Sequence, residues 1–137
     1  MTRPRDVMRK RMATMKDRMF FIAVNSALYE CADAVRAEAY RSISAGSVSG
    51  NGHEPSAPGE APNRDSGTLQ DHLETTQPEE LMARVTSSAD HAEAMEFGTS
   101  TVEARPYLRP ARDKVRPRAL KILNKRVRDA TRRRNTP

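Results

Sequence analysis

Residues 87–111 read SSADHAEAMEFGTSTVEARPYLRPA, and the succession of residue types along them decides the architecture. Ser87 and Asp90 stand three apart ahead of Ala92, Met95 and Phe97, the pattern of a capping box before a short amphipathic helix. Gly98 closes that helix, since glycine takes the left-handed backbone conformation without steric cost. Phe97 beside it is expected as a large apolar anchor. An irregular link then runs to Arg105, and a last helix begins near Pro106 or Pro110, where a missing backbone donor does no harm. Leu108, Ala111, Val115, Ala119, Ile122, Leu123 and Val127 give that helix an apolar face. Pro117 lies inside the pattern and predicts a kink. Past Val127 the chain reads as a fraying basic tail with Arg128, Arg132, Arg133 and Arg134, the candidate contacts with a partner.

Upstream of this stretch, 73–77 and 81–87 read as two short strands around the turn Gln77-Pro78-Glu79-Glu80. Thr68 with Asp71, and Leu69 with Leu73 four residues on, predict a single helical turn after Gly67. Residues 45–66 contain Gly46, Gly50, Gly52, Pro55, Pro58, Gly59 and Pro62, which break any regular pattern and predict an exposed, mobile loop. From Asp6 to Ser44 the period is helical. Met8, Met12, Met15, Met19 and Ile22 form one stripe, and Leu28, Ala32, Val35, Ala39 and Ile43 form another after a change of phase near Asn25–Ser26. The change of phase implies different partners for the two halves, or a bend. Methionine suits a surface that adapts to what it meets.

These elements make one α+β domain over 1–137. A long N-terminal helix (6–44) and a C-terminal helix with its basic tail (106–134) pack on a small antiparallel sheet with a short helix (67–105), and a mobile central loop (45–66) joins the two parts. The chain is 36% hydrophobic and 4% aromatic with no Trp, so the expected core is modest and built of Ala, Leu, Val and Met. Its net charge of +6 is unevenly spread. Residues 1–20 carry seven Lys/Arg against two acids, residues 103–137 carry thirteen against three, and the middle carries four against thirteen. Two basic ends around an acidic centre suit nucleic acid, and equally a head-to-tail contact between subunits.

The one cysteine, Cys31, has no internal partner and reads as a small apolar residue on a helix face, in keeping with a reducing cytoplasm. No apolar run approaches a membrane span, and the basic start lacks the apolar core of a secretory signal, so no membrane partner is expected. His53, His72 and His91 are scattered with no cysteine pair to complete a zinc set. His91-Ala92-Glu93 has the spacing of half a zinc-deaminase motif without the other half. There is no phosphate-binding glycine loop and no nucleophile elbow. No catalytic, cofactor or metal residue emerges, and the expectation is a protein that is not an enzyme. The basic ends lack the interleaved aromatics of a stacking platform, although charge alone predicts weak, salt-sensitive affinity for DNA.

The segment Ser87-Ser88-Ala89-Asp90-His91-Ala92-Glu93-Ala94-Met95-Glu96-Phe97-Gly98-Thr99, followed by Ala104-Arg105-Pro106-Tyr107-Leu108-Arg109-Pro110-Ala111, resembles the signature of the gene-product-ten-like family of siphophage neck proteins. That signature has a tyrosine-alanine pair, Glu-Phe-Gly-Thr, a variable loop, and Ala-Arg-Pro-Phe-Leu-Arg-Pro-Ala. Ser56-Ala57-Pro58-Gly59-Glu60-Ala61-Pro62 and Asp65-Ser66-Gly67-Thr68-Leu69 are similar to its upstream Pro-Gly-x-Pro-Pro loop and Thr-Gly-x-Leu element. Here His91 stands where the family has an aromatic, and Tyr107 where it has Phe. The resemblance marks Gly67, Leu69, Glu96, Phe97, Gly98, Thr99, Arg105, Pro106, Tyr107, Leu108 and Pro110 as motif residues; apart from the resemblance, Arg105 is held rigidly by Pro106, and Glu96 is a candidate partner for its guanidinium within the subunit or across an interface. It implies a structural subunit of a ring joining head to tail in a phage or gene-transfer-agent particle, assembled in the host cytoplasm. The implied partners are further copies of itself and adjacent neck or tail proteins, with double-stranded DNA passing through the lumen without specific binding. The competing expectation is a small basic nucleic-acid-binding protein acting through its Arg/Lys-rich termini.

Overall fold

A computed structural model describes residues 3–44, 59, 62 and 68–137. The order of elements is α1 (Pro4–Ser44), α2 (Thr68–Asp71), β1 (Leu73–Thr76), β2 (Arg84–Ser87), α3 (Ala92–Phe97) and α4 (Leu108–Asn135). The α+β architecture is as the sequence predicts: two long helices and a two-stranded antiparallel sheet. The expected loop at 45–66 falls almost wholly outside the described residues, as does Gly67.

α1 and α4 form an antiparallel hairpin, and its register follows from the contacts that cross it. Glu38 accepts from Lys114 at 2.7 Å. The Cys31 thiol donates to the carbonyl of Ala119 at 3.3 Å, Glu30 pairs with Arg126 at 2.8 Å, and Asp17 pairs with Arg134 at 2.7 Å. Each step back along α1 meets a step forward along α4. α4 therefore ends opposite Lys16 and Asp17, and the Lys16 ammonium reaches the carbonyl of Thr136. The 41 residues of α1 span about 62 Å at ~1.5 Å per residue. Its first twelve, Pro4–Met15, thus run roughly 18 Å past the last helical residue of α4 as an overhang, whose Arg5, Met8, Arg9 and Met12 border an open cleft shared with Arg134, Asn135 and Pro137.

The small sheet, α2 and α3 pack against the other half of the hairpin. β1 and β2 pair from Leu73↔Ser87 to Thr76↔Arg84. A two-stranded ribbon is marginal alone, and side chains tie this one to α1. Thr75 donates to Asp33 at 3.1 Å, and Gln77 Nε2 donates to the carbonyl of Asn25 at 2.7 Å. The second strand is shorter than the predicted 81–87, because Leu81 takes a positive φ of 57° and its N–H donates to the Asn25 side chain at 2.6 Å. Pairing cannot start until the chain has turned back. Asn25, where the phase of α1 changes, is where the turn between the strands is moored.

The core lies in this head: Ala39, Ile43, Leu69, Leu73, Ala89, Ala92, Tyr107 and Ala111, with Val35, Met95 and Leu108 against them. Outside that cluster, Val24, Ala27, Val115 and Ala130 are also buried. α4 stays helical through Pro117, and it stays helical to Asn135, so the predicted fraying tail is a correction. Arg134 is held by Asp17 and lies over the Phe20 ring, 5.6 Å from its centroid.

Candidate functional site

The motif residues converge on the joint between α3 and α4. A helix leaves four backbone N–H positions without internal partners at its start. In α4 these belong to Tyr107, Leu108, Arg109 and Pro110. The N–H groups of Tyr107 and Leu108 donate to Glu96 Oε2 at 2.9 and 3.0 Å, and that of Arg109 donates to Oε1 at 2.8 Å. Pro110 has no N–H to satisfy. One carboxylate and one proline thereby account for all four positions, and the negative charge sits at the positive end of the helix dipole. Glu96, expected to meet the Arg105 guanidinium, thus caps α4 from a neighbouring helix, eleven to thirteen residues upstream.

The link between the two helices is shaped to permit this. Gly98 has φ +74°, and a Cβ there would come within 3.0 Å of the backbone of both Val102 and Ala104. Thr99 closes the next turn: its hydroxyl accepts from the N–H of Val102 at 3.0 Å, and its own N–H donates to the Val102 carbonyl at 2.8 Å. The Arg105 N–H then returns to the carbonyl of Met95 at 2.6 Å. Pro106 and Leu108 are half-buried and Leu69 is buried. The capping box expected from Ser87 and Asp90 is not formed, since the N-cap of α3 is His91 and no side chain bonds to that end.

Tyr107, 1% exposed, is the anchor of the joint. Its hydroxyl and that of Ser87 are buried without a hydrogen-bond partner. Burial pushes the phenol's pKa up, and the nearby Ser87 hydroxyl offsets part of that rise. Phe97, by contrast, is 66% exposed and is not the buried anchor the sequence suggests. Ala92 and Met95 face the core, and at ~100° per residue Phe97 falls about 140° round the helix from Ala92. The ring stands at the edge of a groove of about 580 Å3 between α1, β2, α3 and the start of α4, lined by Ala32, Val35, Val85, Phe97 and Leu108 among others.

Two further surfaces complete the candidate site. Met8, Met12, Met15, Met19 and Ile22, the first stripe of α1, are each 50–65% exposed, so this predicted apolar face lies outside the core. On α4, Lys114, Arg118, Lys121, Lys125, Arg128 and Arg132 follow one another at four-three-four-three-four spacing and are all exposed, a cationic line about 27 Å long. Lys114 is paired with Glu38, and the other five form no ion pair among the described residues. Of the predicted partner contacts, Arg128 and Arg132 belong to this line, whereas Arg133 and Arg134 line the cleft beside Phe20. The described residues contain no cluster of His, Cys, Asp and Glu able to hold a metal ion, and no helix among them is long and apolar enough to cross a membrane. Comparison of the chain with family models, with curated proteins and with solved structures finds no match.

Proposed function

We propose that the chain is a structural subunit of a neck ring in a phage or phage-like particle, joining head to tail and completing the tail-proximal DNA conduit. The observation that carries the assembly part of this reading is the stripe from Met8 to Ile22. Five apolar side chains on one helix face, each at least half exposed, form the kind of continuous apolar surface that marks an interaction site. The neck itself is supported by the resemblance of residues 87–111, whose spacing has a physical reason in the Glu96 cap, the Gly98 turn and the donor-free Pro110. The test is assembly of the purified chain, alone and with candidate neck partners, followed by light scattering and electron micrographs. Rings or defined oligomers are expected. A chain that stays monomeric at high concentration and with those partners, yet binds DNA tightly near physiological salt, overturns the reading.

A second reading, a basic nucleic-acid-binding protein, is favoured by the cationic line on α4. Its five cations without ion-pair partners among the described residues would each neutralise phosphate and release counterions, so affinity would fall steeply with salt. A conduit through which DNA slides is better served by weak contact, and in the neck reading the line meets an acidic surface of a neighbouring subunit or ring. Replacing Lys121, Lys125, Arg128 and Arg132 by Gln separates the two. Loss of salt-dependent DNA binding with oligomerisation intact supports the nucleic-acid reading, and the reverse supports the neck.

A further inference from the structure

The single-helix overhang and the head stand at opposite ends of the molecule and are opposite in charge. Residues 3–15 carry Arg3, Arg5, Arg9, Lys10 and Arg11 against Asp6, a net of +4. Residues 68–104, which make the head, carry eight carboxylates against Arg84 alone, a net of −7. The overhang also holds Met8, Met12 and Met15 on one face, each at least half exposed, although Met8 and Met12 border an open cleft shared with Arg134, Asn135 and Pro137. A lone helix of about three turns is marginal in water and gains its stability by laying an apolar face on something. In the head, the exposed Phe97 ring flanks an open apolar groove, with Glu93 on its α3 side and Arg109 and Arg112 on its α4 side.

We propose that the α1 overhang of one copy docks on the head of a second copy, its methionines entering the groove beside Phe97. The commitment to a second copy rests on the subunit reading above and on the charges. Two overhangs laid together would oppose +4 to +4, whereas overhang against head sets +4 against −7. Flexible thioethers fill irregular gaps and pack favourably against an aromatic ring. The basic residues of the overhang lie toward Asp90 and Glu93, away from Arg109 and Arg112. Donor and acceptor surfaces differ and occupy opposite ends, so the contact is heterologous, and repeated with rotation it closes into a ring.

The experiment uses the full chain with Cys31→Ala and one new cysteine per variant, Met12→Cys or Phe97→Cys. The two are mixed at low salt and oxidised with diamide. Mixed disulfides between positions 12 and 97 are expected to outnumber both homodimers, and to fall when salt is raised. In parallel, Met8→Ser with Met12→Ser and Met15→Ser should raise the dissociation constant for self-association at least tenfold while leaving the thermal midpoint of the monomer in place. Predominance of disulfides between two copies of the Met12→Cys variant overturns the proposal. So does assembly that proceeds unchanged in the triple serine variant, although the neck reading then stands, since the rings form by another surface. A chain that is monomeric under all conditions overturns both. A monomer whose overhang binds vesicles of anionic phospholipid near physiological salt also overturns the proposal, in favour of a membrane surface.

Discussion

Replacing Glu96 by alanine removes the acceptor for three backbone N–H groups at once, and the geometry sets the scale of the loss. Deleting an ordinary N-cap costs about 0.5–2 kcal/mol. Here the acceptor is ionised, which makes each bond stronger, and one donor, the N–H of Tyr107, belongs to a buried residue that water reaches poorly. The N–H of Arg109 lies in an exposed residue and can turn to solvent, which limits the total. The expected loss is about 2–3 kcal/mol. With an unfolding entropy of roughly 2.1 cal/mol/K per residue, that lowers the thermal midpoint by roughly 7–10 °C. Glu96→Gln keeps the shape and one acceptor oxygen but gives up the charge, and should cost about 1 kcal/mol. Urea denaturation of the three proteins, followed by far-UV circular dichroism, measures both. If Glu96→Ala lies within ~0.5 kcal/mol of the parent with the same slope, the carboxylate does not cap α4 and the account of the motif is wrong.

Phe97→Ala should change the stability of the isolated subunit by less than about 1 kcal/mol, because the ring is largely exposed, yet should weaken self-association; a large fall in the denaturation midpoint would place the ring in the core. Tyr107→Phe removes a buried hydroxyl that has no partner and should leave stability unchanged or raise it by up to about 1 kcal/mol, whereas Tyr107→Ala should cost about 3–5 kcal/mol by calorimetry or urea titration. The hydrogen bond from Lys114, with help from Arg41, holds the buried Glu38 below its ordinary pKa of 4.5 despite burial. Its stabilisation is therefore present above about pH 4.5 and is lost as the pH falls through the lower folded value. Glu38→Gln should cost about 1–2 kcal/mol near neutrality and flatten the fall in stability on acidification.

Much of this arrangement was legible in the sequence, and the parts that were not share a cause. The helical period of α1 and the four-residue turn at Thr68–Asp71 are local properties, and local spacing revealed them. A period shows that a face exists without naming what covers it. Leu28 to Ile43 and Met8 to Ile22 have the same signature, but only the first supplies the core of the head; Met19 borders the cleft toward α4 and Ile22 lies beside Gln77, yet every side chain of the second stripe stays at least half exposed. Phe97 and Tyr107 are both large and both next to helix ends. The choice between them turned on the angle within a six-residue helix, which is too short to display a period. The Glu96 cap joins residues more than ten apart, out of reach of any capping-box pattern. Its trace in the sequence is Pro110, placed where the fourth orphan N–H would otherwise stand.

Cys31 gives the hairpin a gauge of its own. Its thiol is part-buried between the long helices and donates to a carbonyl of α4, and burial together with the neighbouring Glu30 pushes its pKa up. A sulfur so placed reacts slowly while the helices are closed and faster when they separate enough to release it as thiolate. The rate at which a disulfide reagent labels the unaltered protein therefore reports how often α1 and α4 part at that depth, on a free-energy scale that runs from local breathing to global unfolding. Because the chain has one cysteine, the signal is unambiguous, and the slowing of that reaction on mixing with a partner would follow assembly in real time without a single substitution.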